Sequence, residues 1–164
     1  MAEFIDFVLQ HLTALIDLFL NVDDYLLELA AKEVSQIGYD HAIQTLRRER
    51  GMMMTSEGKA QVAMRHDDYV LTLAERKVSQ VGYNFAIKYL REELSRMMTP
   101  EGKELVAKRH DHYLLKVADW LVSSRGYRAA IQTLREEYSK LMTAGGKQSA
   151  DALLKELEYR QSNR

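Results

Sequence analysis

The chain has 164 residues, 46% hydrophobic and 29% charged, which is enough for one domain with a packed core and too few for two of ordinary size. Lys and Arg number 23 against 24 Asp and Glu, a formal charge of -1 that supplies no broad positive field, so neither nucleic acid nor an anionic membrane is an expected partner. Cysteine is absent, which excludes disulfides, thiolate catalysis and the usual zinc sites, and a single proline in a chain rich in Leu, Ala, Glu, Lys, Arg and Gln points to an all-α fold.

The first 22 residues are the most apolar stretch, yet Glu3, Asp6, Gln10, His11, Asp17 and Asn21 interrupt them at helical intervals. No uninterrupted apolar run of about 20 residues is present to form a membrane span. The first charges are acidic, unlike a secretory signal, and the expectation is a soluble, cytoplasmic protein. Ile5, Val8, Leu9, Leu12, Leu15, Ile16 and Phe19 form one stripe, while Phe4, Phe7, Ala14 and Leu18 thicken or oppose it. Such a helix either sinks into its own bundle, the favoured reading, or presents a self-association surface with Phe4, Phe7 and Leu18 as candidates and a homodimer as the product.

An internal repeat organises the rest. Tyr25, Tyr69 and Tyr113 recur every 44 residues, as do Gly38-Tyr39, Gly82-Tyr83 and Gly126-Tyr127. The period divides a single helical-repeat domain into units 12–55, 56–99 and 100–143, preceded by an N-terminal cap over 1–11 and followed by a closing half unit over 144–164. Thr55, Thr99 and Thr143 can each cap a following helix, and Pro100 suits a first helical position. The long helix should run about 25 residues, to Gln80 or Ser124, and close at Gly82 or Gly126 in the left-handed conformation. A shorter helix of about 15 residues should return over Tyr39 to Met53, Tyr83 to Met97 and the segment from Tyr127 to Leu141. Connections of two to four residues make neighbours antiparallel. Two stripes on the long helix, Val106, His110, Tyr113 and Val117 beside Ala107, Leu114, Ala118 and Leu121, match burial on two sides. The expectation is about seven helices: three αα-hairpins stacked as a short solenoid, with residues 1–11 prolonging the first helix to cover the open end. Over residues 12–164 this architecture resembles the αα-hairpin repeat proteins of the tetratricopeptide and HEAT class. The constant period without insertions is also what a designed or amplified repeat shows, and such a chain needs no natural ligand.

Histidines are the first candidates for chemistry. His66-Asp67 and His110-Asp111-His112 occupy equivalent points of two long helices, and the first unit has Val22 instead. With Thr99, Glu101, Gly102, Lys103, Ala107 and Arg109, the His-Asp dipeptide looks somewhat like part of an HD phosphohydrolase helix, a resemblance that would imply a metal-dependent hydrolase. Ligands at i and i+2 point to different sides of a helix, however, and the stripe suits a partly buried imidazole bonded across the repeat interface. No catalytic, metal-binding or cofactor-binding residue is therefore assigned.

The adjacent carboxylates Asp23-Asp24, Asp67-Asp68, Glu92-Glu93 and Glu136-Glu137 diverge by about 100° and should mostly be solvated, with Glu92 near Arg96 and Glu136 near Lys140. Gly58-Lys59, Gly102-Lys103 and Gly146-Lys147 lie in first helical turns, where free N–H groups could hold an anion, although close helix approach is the favoured role. Met52, Met53, Met54, Met97, Met98 and Met142 cluster at the ends of short helices and are read, with Met64, as adaptable core filling.

Variable positions mark where a protein or peptide partner could bind. Trp120 replaces Arg76 and Lys32 of the other units, and is expected to pack on the final helix or, failing that, to anchor a ligand. Phe85 and Tyr89 replace His41 and Thr45, and Ala129 and Thr133, as a second patch. The function expected is a non-catalytic scaffold, the alternatives being a protein- or peptide-binding adaptor and a small helical metal-dependent phosphohydrolase.

Overall fold

A computed structural model describes residues 2–163; the side chains of residues 2–4, 6, 7, 20 and 21 lie outside that description, and with them the candidates Phe4 and Phe7. The described chain is all-α and has no strand. Its helices are α1 (Ala2–Gln36), α2 (Tyr39–Glu49), α3 (Ser56–Val81), α4 (Tyr83–Glu93), α5 (Pro100–Arg125), α6 (Tyr127–Glu137) and α7 (Ala144–Ser162).

Local chemistry sets the boundaries. The hydroxyls of Thr55, Thr99 and Thr143 each accept the N–H three residues ahead, from Gly58, Gly102 and Gly146, at 2.8 Å, and Pro100 opens α5. Gly38, Gly82 and Gly126 do not adopt the expected left-handed helical conformation. They sit at φ 118°, 94° and 86° with ψ 171–173°, an extended region open essentially to glycine alone. One such residue ends a long helix and starts the next, since Gly82 and Gly126 receive no further linker.

The short helices are also tighter than expected. Eleven α-helical residues pass into 3₁₀ turns at Arg50–Met52, Leu94–Arg96 and Tyr138–Lys140. Met53, Met97 and Leu141 then turn extended, with ψ 129–136°, which buries each of these side chains and delivers the chain to the next threonine cap. Of the other methionines expected in the core, Met52, Met54 and Met64 are exposed.

The chain divides into two compact units, Met1–Val70 and Leu71–Arg164, the division falling within α3. In the first, Leu26, Leu27 and Ala30 of α1 pack with Leu46, Met53 and Val62. In the second, Ala118 and Leu121 of α5 meet Ala130, Ile131 and Leu134 of α6, and α7 closes the cluster with Leu157 over the flanking Leu153 and Leu154. Burying each leucine-sized side chain contributes about 1.5–3 kcal/mol. On α5, Val106, His110, Tyr113, Leu114, Ala118 and Leu121 are all buried, as two-sided packing requires.

The N-terminal helix departs from the favoured expectation. The helix does begin at Ala2, but its described side chains ahead of Phe19, those of Ile5 and residues 8–18, are exposed. The reason is positional. Val106, buried completely, lies on a helix packed against the preceding α4; its counterpart in the first repeat, Leu18, is packed by no short helix among the described residues and is 55% exposed. Tyr25 is likewise 65% exposed where Tyr113 is 5%.

Candidate functional site

Three places could carry function: the His-Asp pairs, the glycine-bearing helix starts and the aromatic substitutions. The first two prove to be one structure. In the second unit, Arg91 on α4 donates from Nε to His110 Nε2 at 2.8 Å, and the Nδ1 edge of that ring faces Asp111 Oδ1 at 2.9 Å. Because arginine can only donate, Nε2 must accept and the proton resides on Nδ1; the partners thus assign a neutral tautomer. Asp111 then accepts from the N–H groups of Met142 and Thr143 at 2.9 and 2.8 Å and from the Thr143 hydroxyl at 2.7 Å. A polar relay thereby runs from a short helix, through a long one, into the cap of the next.

The first unit repeats its parts. Arg47 donates to His66 Nε2 at 3.0 Å, and His66 Nδ1 lies 2.8 Å from Asp67. Asp23 accepts from Met54 N, Thr55 N and Thr55 Oγ1 at 2.9, 3.0 and 2.5 Å. Both imidazoles are completely buried. Among the described residues no cluster of three or more His, Asp or Glu is arranged to hold a metal ion.

Electrostatics follow from this packing. Burial pushes His110 down against the pull of Asp111, and the adjacent Arg91 lowers it further, so the ring stays neutral. Burial pushes the Asp111 carboxyl up, but the N–H of Met142, His110 and the two donors of Thr143 outweigh it and leave the group below the ordinary carboxylate range. Asp23 is lowered in the same way, with Lys59 adding a nearby positive charge.

The first-turn glycines do allow the close approach expected of them, with a neighbouring helix's side chain seated against each of Gly58 and Gly146, while the expectation for the paired carboxylates is corrected. The helix starts at Gly58 and Gly146 do receive an anion, but it is the chain's own Asp23 or Asp111 carboxylate, and the glycine is what admits it. A Cβ would come within 2.6 Å of Asp23 Cγ at Gly58 and within 2.7 Å of Asp111 Cγ at Gly146. The adjacent carboxylates are only half solvated: Asp23, Asp67 and Glu93 are buried and Glu137 is half-buried, while Asp24, Asp68, Glu92 and Glu136 beside them are exposed. Arg96 bonds Glu93 at 3.0 Å, and Glu137 bridges Lys140 at 2.5 Å and Arg91 at 2.8 Å. Sequence reasoning overlooked Arg47 and Arg91 and gave Glu137 no partner beyond its own helix; the recurrence of Arg47, Arg91 and Arg135, and of Glu49, Glu93 and Glu137, at the 44-residue period was the available signal.

The aromatic substitutions separate. Trp120 is not buried; it is 58% exposed and lines a groove with Phe85, which is 62% exposed. Val78, Val81 and Val117 make the groove apolar, Asn84 supplies a polar edge, and the concavity holds about 380 Å³. Tyr89 lies elsewhere, half-buried, with the Lys77 ammonium 5.0 Å from its ring centre. Comparison with protein-family models, curated proteins and solved structures returned no match. No described helix is long and apolar enough to cross a membrane.

Proposed function

We infer that the chain is a non-catalytic helical-repeat scaffold that docks a peptide or protein segment through the Trp120–Phe85 groove. The observation that carries this reading is the convergence of two large exposed aromatics, both absent from the equivalent repeat positions, on one apolar groove inside a single compact unit. Aromatic anchors in concave apolar surfaces supply most of the energy in many recognition sites. The histidines support the non-catalytic half of the reading, because each ring nitrogen of His110 is already committed to Arg91 or Asp111. A metal-dependent hydrolase would need those lone pairs.

The volume suits one or two large apolar side chains, so the ligand class is a peptide segment bearing an exposed Leu, Phe or Trp. Trp120 is the chain's single tryptophan, and its emission reports directly on the groove. Screening a displayed library of amphipathic peptides should yield binders that shift this emission and lose affinity at least about tenfold with Phe85→Ala. Binders insensitive to Phe85→Ala, or none at all, would leave a scaffold without this docking site, as a designed repeat lacking a natural ligand would be.

A further inference from the structure

The exposed stripe of α1 has the period of a helix pair. Ile5, Leu9, Leu12, Ile16 and Phe19 follow one another at alternating steps of four and three, the 3.5-residue seam of a coiled coil, with Val8 and Leu15 widening it on one flank. The seam is in line with Leu26 and Ala30, which the same helix buries in its own hairpin. What changes after Asp23 is therefore the neighbour, not the helix. Gln10 and Asp17 fall on the outer side and Asp6 on one flank, and none of the five seam positions carries a charge.

We propose that the occupant of this seam is the α1 helix of a second copy of the chain, packed antiparallel. Ile5, Val8, Leu9, Leu12, Leu15 and Ile16 are each 40–56% exposed and together present on the order of 500 Å² of apolar surface per copy, the size of a reversible interface at the low end of the standard range. An anionic lipid surface is the poorer occupant, because residues 1–31 contain no Lys or Arg and the outer face is acidic. A parallel pair would bring the two α2 hairpins, which begin beyond Asp23, to the same end; the antiparallel pair separates them and opposes the helix dipoles. Layers then form between Leu9 and Leu12 of opposite copies and between Ile5 and Ile16.

The surface is distinct from the Trp120 groove, so this inference stands or falls separately from the docking reading. Sedimentation equilibrium of the full chain should give twice the 19.0 kDa chain mass at tens of micromolar, dissociating on dilution. Leu12→Asp should return the monomer mass with an unchanged helical spectrum, and the milder Leu12→Ala should weaken association about 30-fold. Because the chain has no cysteine, orientation is directly readable. Mixed Ile5→Cys and Ile16→Cys chains should cross-link on oxidation, whereas Ile5→Cys alone should not. A monomer mass at every concentration, a dimer unaffected by Leu12→Asp, or an efficient Ile5→Cys self-cross-link would each overturn the arrangement.

Discussion

Asp111 occupies space that Gly146 leaves open: its buried carboxylate lies where a β-carbon on that glycine would be, and it takes three hydrogen bonds from Met142 and Thr143 at the same helix start. A capped helix N-terminus is a general anion site, and here the anion belongs to the preceding long helix.

That fit separates two neighbouring glycines. Gly146→Ala should destabilise the fold by about 2–3 kcal/mol, because the Asp111 carboxylate cannot retreat without abandoning its donors. Gly145→Ala meets no atom within 4 Å and should instead stabilise by up to about 1 kcal/mol through helix propensity. Urea midpoints of the two variants check the contrast.

Equivalent arginines should differ as sharply. Arg91→Met strands His110 Nε2 and weakens the Glu137 bridge, which should cost about 2–3 kcal/mol. Arg135→Met removes only an exposed pair with Glu158 and should cost less than about 1 kcal/mol. Chemical denaturation at low salt distinguishes them.

The relay also gives the fold a direction of pH dependence. His110 has its affinity for protons lowered on folding, so below its unfolded value of about 6.5 the unfolded chain binds more protons than the folded one. This contribution to stability is complete above about pH 6.5 and is lost as the pH falls from there toward the lower folded value. Asp111, also lowered, adds a second loss below about pH 4. Denaturation midpoints should decline from pH 7.5 to pH 5, and His110→Gln should flatten that slope even though it lowers the midpoint throughout.

The groove predicts a third kind of behaviour. Trp120 and Phe85 are more than half exposed, so Trp120→Ala should move the melting temperature by no more than about 2 °C. A larger loss would mean that Trp120 supports the fold.

Much of the architecture was legible because its determinants are local. Thr99 with Pro100, or Gly82 before Tyr83, marks a helix boundary whatever the rest of the chain does. The polar relay was not, since its members meet through tertiary packing. Asp23 and Asp24 are indistinguishable in sequence, and only the position of Thr55, 32 residues on, decides which carboxylate is buried and which is solvated. Comparing repeats did find Trp120 and Phe85, but not that Tyr89 would turn toward Lys77 instead of joining them. The apolar first helix was visible too; its exposure was not, since it depends on which neighbours pack against each part of the helix.

The central claim is that the buried His-Asp pairs are structural joints, and the imidazole nitrogen spectrum of His66 and His110 tests it most directly. At neutral pH, with and without stoichiometric Zn²⁺, the account predicts neutral rings protonated on Nδ1 and accepting at Nε2, with resonances unmoved by the metal. Rings protonated on Nε2, or resonances of either residue displaced by one equivalent of zinc, would contradict it.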